Sequence, residues 1–237
     1  MEYIIGIITV IVVVGYILHI KAKKRAIQIQ ESINLIRRVT PTYRGTPSER
    51  FLILTLLRYG INSGAIFHDL YIFRPDGKTS QIDLVVATSV GIIVFEVKDF
   101  SGWIYGKGNQ QKWTQVLSYG REKNRFYNPV LQNKAHIAQL KRILKEDVPF
   151  YSVIIFYGDC ELRDISFVPK NTFITKDYRI TDVIESILYN NSPANYKNKR
   201  NVIKVLKKAV ANGDRFDIEE KHIENIHNML GSDRVFK

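Results

Sequence analysis

The chain has 237 residues, of which 45% are hydrophobic and 24% charged, so a disordered chain is excluded and one sizeable core is expected. A single cysteine, Cys160, excludes an intramolecular disulfide and a multi-cysteine metal cluster. The formal net charge of +12 indicates a polyanionic partner, either nucleic acid or the anionic inner leaflet of a membrane.

The N-terminal segment is uncharged and apolar. Residues 3–20 contain no charged side chain apart from a possible charge on His19, and a basic run follows at residues 21–25. Eighteen helical residues reach about 27 Å, close to the ~30 Å hydrocarbon core of a bilayer. The basic flank predicts a single-pass protein of the cell membrane whose C-terminal domain is cytoplasmic. The alternative is a buried core helix or strand.

The folded domain begins with a helix signal. Thr46, Pro47 and Glu49 are typical of an N-cap, a first helical residue and a capping-box partner, and Gly60 is typical of a helix end. Hydrophobic alternation then predicts strands at residues 64–73, 81–87 and 92–98, a helix from 128 to about 144, and strands at 152–157 and 172–175. This order predicts an α/β or α+β sheet domain.

Four regions are expected along the chain: a transmembrane anchor at 1–20, a juxtamembrane stalk at 21–40, a globular domain at 41–175 and a basic helical tail at 176–237. In the tail we expect helices at residues 178–189, 192–212 and 217–231. The second of these carries six basic residues and no acid over residues 197–208. The tail either packs on the sheet or forms a small separate bundle.

Asp83, Glu96 and Lys98 interrupt two apolar strands that a tight connection at residues 88–91 places side by side. Glu96 and Lys98 are two residues apart and therefore lie on one face of a strand. Two carboxylates suit a hard cation such as Mg²⁺, which activates water, and the lysine can orient that water or offset phosphate charge. The alternative is an ordinary surface salt bridge.

These strands, with the motifs around them, resemble the nuclease-related domain (NERD), a family of the restriction-endonuclease-like PD-(D/E)XK superfamily. The resemblance covers roughly residues 41–145. Its motifs are Gly45-x-x-x-Glu49, Gln81-Ile82-Asp83, Phe95-Glu96-Val97-Lys98, Ser101-Gly102-Trp103 and Asn128-Pro129-x-x-Gln132. The resemblance implies a restriction-endonuclease-like mixed sheet with Asp83, Glu96 and Lys98 at the metal and catalytic positions.

Other candidate positions carry alternatives. Asp76 follows Pro75 as a literal "PD", but it lies in a turn sequence, and we favour Asp83. Glu49 is either a further metal ligand or only a capping residue. We count Gln132 with the catalytic residues and set His136, one helical turn further on, aside as a buried polar residue.

Nucleic-acid contacts are expected in the polar stretch after the third strand. The basic residues there are Lys107, Lys112, Arg121, Lys123 and Arg125. We interpret them as a backbone-binding loop, with a solvated face as the alternative. Trp103 and Trp113 either stack on bases or belong to the core.

The sequence thus predicts a membrane-anchored nuclease that uses Mg²⁺ (or Mn²⁺) to hydrolyse phosphodiester bonds, of DNA by resemblance. A second hypothesis is a non-catalytic, membrane-tethered nucleic-acid-binding or scaffold module. A third is a partner-binding regulator that acts through its basic tail helix.

Overall fold

The computed structural model describes the backbone of residues 2–214, and the side chains from residue 13 onward except that of Ser118. The tail helix expected at 217–231 lies outside the described residues. The helices are α1 (Glu2–Ile36), α2 (Pro47–Tyr59), α3 (Pro129–Leu144), α4 (Ile180–Tyr189) and α5 (Lys199–Asn212). The strands are β1 (Ile66–Phe73), β2 (Thr79–Thr88), β3 (Gly91–Asp99), β4 (Gly102–Lys107), β5 (Lys112–Leu117), β6 (Glu122–Tyr127), β7 (Phe150–Tyr157), β8 (Cys160–Ser166) and β9 (Thr172–Lys176).

The N-terminal helix α1 is continuous through both the expected anchor and most of the expected stalk. Within the described residues, no helix is both long enough and apolar enough to cross a membrane. The side chains of residues 1–12, which make up more than half of the expected anchor, lie outside the described part. The anchor at residues 1–20 therefore stays a prediction.

Helix α2 begins and ends where its capping residues predict. The Thr46 hydroxyl accepts the backbone N–H of Glu49 at 3.2 Å, and Pro47 occupies the first helical turn. Gly60 closes the helix with a φ of 103°, a left-handed conformation that glycine adopts without a steric cost. The N-terminus of α2 is thereby fixed, and Glu49 with it.

The first sheet has the strand order β1-β2-β3-β7-β9, antiparallel from β1 to β3 and parallel from β3 to β9. Both faces are covered. Helices α2 and α4 pack on one face around Phe95 and Val153, and α3 and α5 pack on the other around Ile92 and Val94. Because helices cover both faces, the central strands β3 and β7 are nearly continuous hydrophobic runs.

A second sheet, with the order β6-β5-β4-β8, lies where the sequence predicted a polar loop. It is also mixed, since β4 pairs with β5 antiparallel and with β8 parallel. Trp113 joins the two sheets: its ring lies parallel to that of Phe156 on β7, with centroids 6.2 Å apart. The protein is therefore a mixed α/β fold with two mixed sheets flanked by helices, which confirms the predicted mixed sheet and adds a second one.

Helix α5 begins at Lys199 and not at residues 192–193, so the predicted start was wrong. The Glu146 carboxylate accepts the backbone N–H groups of Lys197 and Asn198 at 2.8 and 2.9 Å. These contacts hold the preceding segment outside the helix, and the Asn198 side chain caps α5. The apolar face of α5 then packs against β1 and α3, so this part of the tail lies on the first sheet.

Arg44 ties the segment before α2 to the end of α5. Its guanidinium Nε lies 2.6 Å from Asp69 Oδ2, and Nη1 lies 2.9 Å from Asp214 Oδ1. Nη2 donates to the backbone carbonyls of Asp69 and Val210. Arg44 and Asp69 are both buried, whereas Asp214 is exposed. We call this set of contacts the Arg44 clamp.

Candidate active site

Asp83 lies where strands β2 and β3 part. The β2–β3 pairing ends at Leu84 and Phe95, and the Asp83 carboxylate reaches across instead: its Oδ2 accepts the backbone N–H of Val97 at 2.7 Å. On the other side, β1 leaves regular strand geometry at Asp69, whose φ is +56°. The pairing of β1 with β2 skips the Asp69–Asp83 position. This local break directs Asp83 toward the end of β3.

Glu96 is a fully buried carboxylate on β3, with 1% of its surface exposed. Its Oε1 lies 2.6 Å from Lys98 Nζ, and its Oε2 lies 3.3 Å from His136 Nε2. Despite these ion-pair distances, neither oxygen has a well-oriented hydrogen bond from any described residue. Isolated buried charges are costly, so the two basic neighbours explain how Glu96 stays within an apolar strand.

Lys98 connects Glu96 to helix α3. Its ammonium donates to Gln132 Oε1 at 3.2 Å, and about a fifth of its side chain (21%) remains exposed. His136 is held from behind by Ser80 on β2, whose hydroxyl lies 3.1 Å from Nδ1. The structure therefore brings Gln132 and His136 together with Glu96 and Lys98, although the sequence had set His136 aside.

Glu49, on α2, belongs to a buried network of polar side chains. One carboxylate oxygen lies 2.9 Å from His68 Nε2, and the other accepts the Thr46 hydroxyl at 2.8 Å. His68 Nδ1 in turn lies 2.9 Å from the Thr40 hydroxyl. Gly45 packs directly over this pair, because a Cβ on it would overlap the imidazole and stand 2.7 Å from the Glu49 carboxylate. Glu49 therefore contacts His68 in addition to Thr46, its partner at the helix N-terminus.

The carboxyl groups of the site influence one another. Burial, followed by the charges of Glu96 and Glu49, raises the pKa of Asp83 well above its ordinary value, against the opposing effects of Lys98 and the Val97 N–H. Burial alone would also raise the pKa of Glu96, but Lys98 and His136 outweigh it and the pKa is lowered. The surroundings therefore disfavour the charged form of Asp83 and favour the charged form of Glu96.

Asp83 and Glu96 are the carboxylates that could hold a divalent cation. No group of three or more His, Cys, Asp or Glu side chains across the described residues is arranged as a metal cage. Mg²⁺, however, is usually held by one or two carboxylates and keeps several waters. Asp83 and Glu96 supply two carboxylates, and the Glu96 oxygens lack well-oriented hydrogen bonds. The donor set fits a cation of this kind.

The remaining predicted residues lie apart from this cluster. Asp76 is in the β1–β2 turn, where it pairs with Arg74 at 2.7 Å and accepts the Lys78 N–H. The basic residues Lys107, Lys112, Arg121, Lys123 and Arg125 are all exposed on or beside strands of the second sheet and not in one long loop, and their contacts with nucleic acid stay a prediction. Trp113 is fully buried in the core, whereas Trp103 is partly exposed.

Sequence reasoning missed Thr40, His68 and the Arg44–Asp69 pair. His68 and Asp69 are polar residues in the middle of an otherwise apolar strand, Ile-Phe-His-Asp-Leu-Tyr-Ile-Phe. The same signal had singled out Asp83 and Glu96, and it was available for these two as well. Thr40 gave no signal, because it lies in an irregular segment far from its partner in sequence.

Comparison with known proteins gives two matches. The sequence model of the nuclease-related domain matches residues 44–157. An uncharacterized protein of Bacillus anthracis is 27% identical over 195 residues, which is 82% of this chain and 89% of that relative. No solved structure gives a significant match.

Proposed function

Since residues 44–157 form a nuclease-related domain, we propose that the chain is a membrane-anchored nuclease that hydrolyses phosphodiester bonds, with DNA as substrate and Mg²⁺ or Mn²⁺ as cofactor. One observation carries this proposal. Where β2 and β3 separate, the Asp83 carboxylate accepts the N–H of Val97, the residue between Glu96 and Lys98. The side chains of Glu96 and Lys98 lie 2.6 Å apart, with Lys98 partly open to solvent. An ordinary surface salt bridge is a poor alternative, because Glu96 is buried and also contacts His136.

The side chains have distinct roles in this proposal. Asp83 and Glu96 would hold the cation, which acidifies the attacking water and offsets charge on the scissile phosphate. His136 on α3 holds Glu96 in place, and Ser80 on β2 in turn holds His136. Lys98 is positioned by Gln132 and is partly exposed, and in this proposal it orients water and stabilises developing negative charge. Glu49 adds a carboxylate whose orientation His68 fixes.

The direct test is a cleavage assay on the full chain in detergent, with single-stranded and duplex DNA. We expect cleavage with Mg²⁺ or Mn²⁺ and none with EDTA. Because Asp83 and Glu96 are oxygen donors, Mg²⁺ should restore activity to chelated protein. Absence of cleavage with both metals on both substrates would favour the non-catalytic, nucleic-acid-binding alternative.

The membrane part of the proposal rests on the uncharged residues 3–20 and the basic flank at 21–25. We expect the protein to stay with membranes after a high-salt wash and to leave them in detergent. A C-terminal tag should be protected from protease in intact cells and cleaved after permeabilisation, because the basic flank stays on the inner side. A tag that protease reaches in intact cells would contradict this topology.

A further inference from the structure

The second sheet has one buried face and one open face. The buried face carries Ile104, Trp113 and Cys160 and packs against β7. Residues directly opposite on paired strands point to the same side, so the pairing defines the other face row by row. One row is Trp103–Val116–Lys123 and the next is Tyr105–Thr114–Arg125. We call the surface formed by these two rows the open face.

Aromatic and basic groups share the open face. Trp103 and Tyr105 are partly exposed on β4, and Lys123 and Arg125 are exposed on β6. Together with Thr114 and Val116 they line a shallow groove of about 540 Å³. Tyr127, on the same side of β6 as Arg125, is 47% exposed. A buried core explains Trp113 on the other face, but it does not explain two adjacent aromatic rings here.

The charge of this surface is positive. Lys107 and Lys112 continue the same strands and are exposed. Arg163 on β8 lies over the Trp103 ring, 5.0 Å from its centroid. On the outer strand β8, Glu161 is paired with Trp103 and Asp164 with Tyr105, so these two acidic residues continue the rows of the open face, and Arg163 pairs with Glu161 at 2.9 Å. An anionic partner is therefore favoured along β5 and β6.

From this arrangement we propose that the open face binds a single strand of nucleic acid, with bases on Trp103 and Tyr105 and phosphates on Lys123 and Arg125. Aromatic rings stack on unpaired bases of any sequence, and basic side chains follow the backbone. Trp103 and Tyr105 are two residues apart on one strand, so their Cα atoms are about 6.8 Å apart, twice the ~3.4 Å rise per nucleotide in a duplex strand. That spacing suits unstacked bases, which a duplex does not offer.

The open face is close to the candidate active site along the chain. Trp103 follows Lys98 by five residues, so their Cα atoms are at most about 18 Å apart. A strand bound on the open face is thus within reach of the site. This inference rests on the proposed function, because it specifies single-stranded nucleic acid as the substrate of the proposed nuclease. Binding to the open face can nevertheless be measured without cleavage.

The test measures binding in EDTA, where no cleavage is expected, with a fluorescent oligonucleotide of about 20 nucleotides, longer than typical site sizes. The full chain in detergent should bind single-stranded DNA more tightly than duplex. Trp103→Ala and Tyr105→Ala should each weaken single-strand binding at least about five-fold, and Trp103→Phe should restore most of it. Lys123→Gln with Arg125→Gln should also flatten the salt dependence by about one phosphate per lost contact.

Matched controls lie on other surfaces. Tyr189→Ala removes a tyrosine that is 77% exposed on α4, and Lys204→Gln with Lys207→Gln removes two exposed charges from α5. None of these should weaken binding. The inference is overturned if the α5 variants weaken binding and the open-face variants do not, or if duplex and single strand are affected equally. Binding as expected without cleavage in Mg²⁺ or Mn²⁺ would instead overturn the proposed nuclease function and leave the inference intact.

Discussion

Asp83→Asn and Glu96→Gln should each abolish measurable cleavage in Mg²⁺, and titration calorimetry with Mn²⁺ should show that cation binding is lost. Each change replaces a charged oxygen donor by a neutral amide of similar shape. In Asp83→Asn the new amide oxygen can still accept the Val97 N–H, so the β2–β3 junction should be preserved. Circular dichroism and thermal unfolding should confirm that both variants are folded.

Lys98→Ala separates catalysis from cation binding. The lysine does not hold the cation in our proposal, so Mn²⁺ binding should remain while turnover falls by about 10²–10⁴-fold, the usual range for a group that moves or orients a proton. Asp76→Asn is the control for the second candidate aspartate. Because Asp76 is partly exposed and contacts Arg74 in a turn, its loss should leave cleavage unchanged. Full activity in Asp83→Asn with loss in Asp76→Asn would contradict the assignment.

Arg44→Met should cause a large loss of stability. It leaves the buried Asp69 carboxylate without its cation, which typically costs about 3–5 kcal/mol. For a protein of this size, each kcal/mol lowers Tm by roughly 2–4 °C, so a decrease of about 6–20 °C is expected. Thermal unfolding followed by circular dichroism measures it.

The chain offers a matched control for this prediction. Arg74→Met removes an arginine from an ion pair of nearly the same length, 2.7 Å, but on an exposed turn. It should cost less than about 1 kcal/mol, because exposed pairs are weak. Adding Asp69→Asn to Arg44→Met should recover part of the loss, since asparagine tolerates the positive φ at this position. Equal effects of Arg44→Met and Arg74→Met would show that the clamp does not stabilise the fold.

The sequence predicted the ends of a helix correctly where neighbouring residues alone determine them. Thr46, Pro47 and Gly60 predicted both ends of α2, because caps depend on residues within one turn. The start of α5 failed for the opposite reason. Ser192-Pro193 is a sound local signal, but Glu146, about fifty residues earlier, binds the N–H groups of Lys197 and Asn198 and delays the helix.

The second sheet was missed because its strands are short and their outward residues are polar or charged. In β6, Glu-Lys-Asn-Arg-Phe-Tyr, only Phe126 is partly buried, so the segment reads as a loop until its partner β5 is known. The family resemblance, by contrast, could be predicted, because several short motifs occur in the expected order along the sequence. The match to the nuclease-related domain at residues 44–157 confirms it. His68 was marked by its place in an apolar strand, but the partners of His68 and His136 lie on distant elements, and no local pattern identifies them.

The Arg44 clamp also sets an order of events during synthesis. Asp69 follows Arg44 by 25 residues, but Asp214 follows it by 170. At ~5–20 residues per second, a ribosome needs roughly 10–30 s to add those 170 residues. Until then the loop that carries Gly45 and precedes Glu49 lacks its contacts with α5. A nascent chain therefore holds an incompletely supported site until most of its length has been translated.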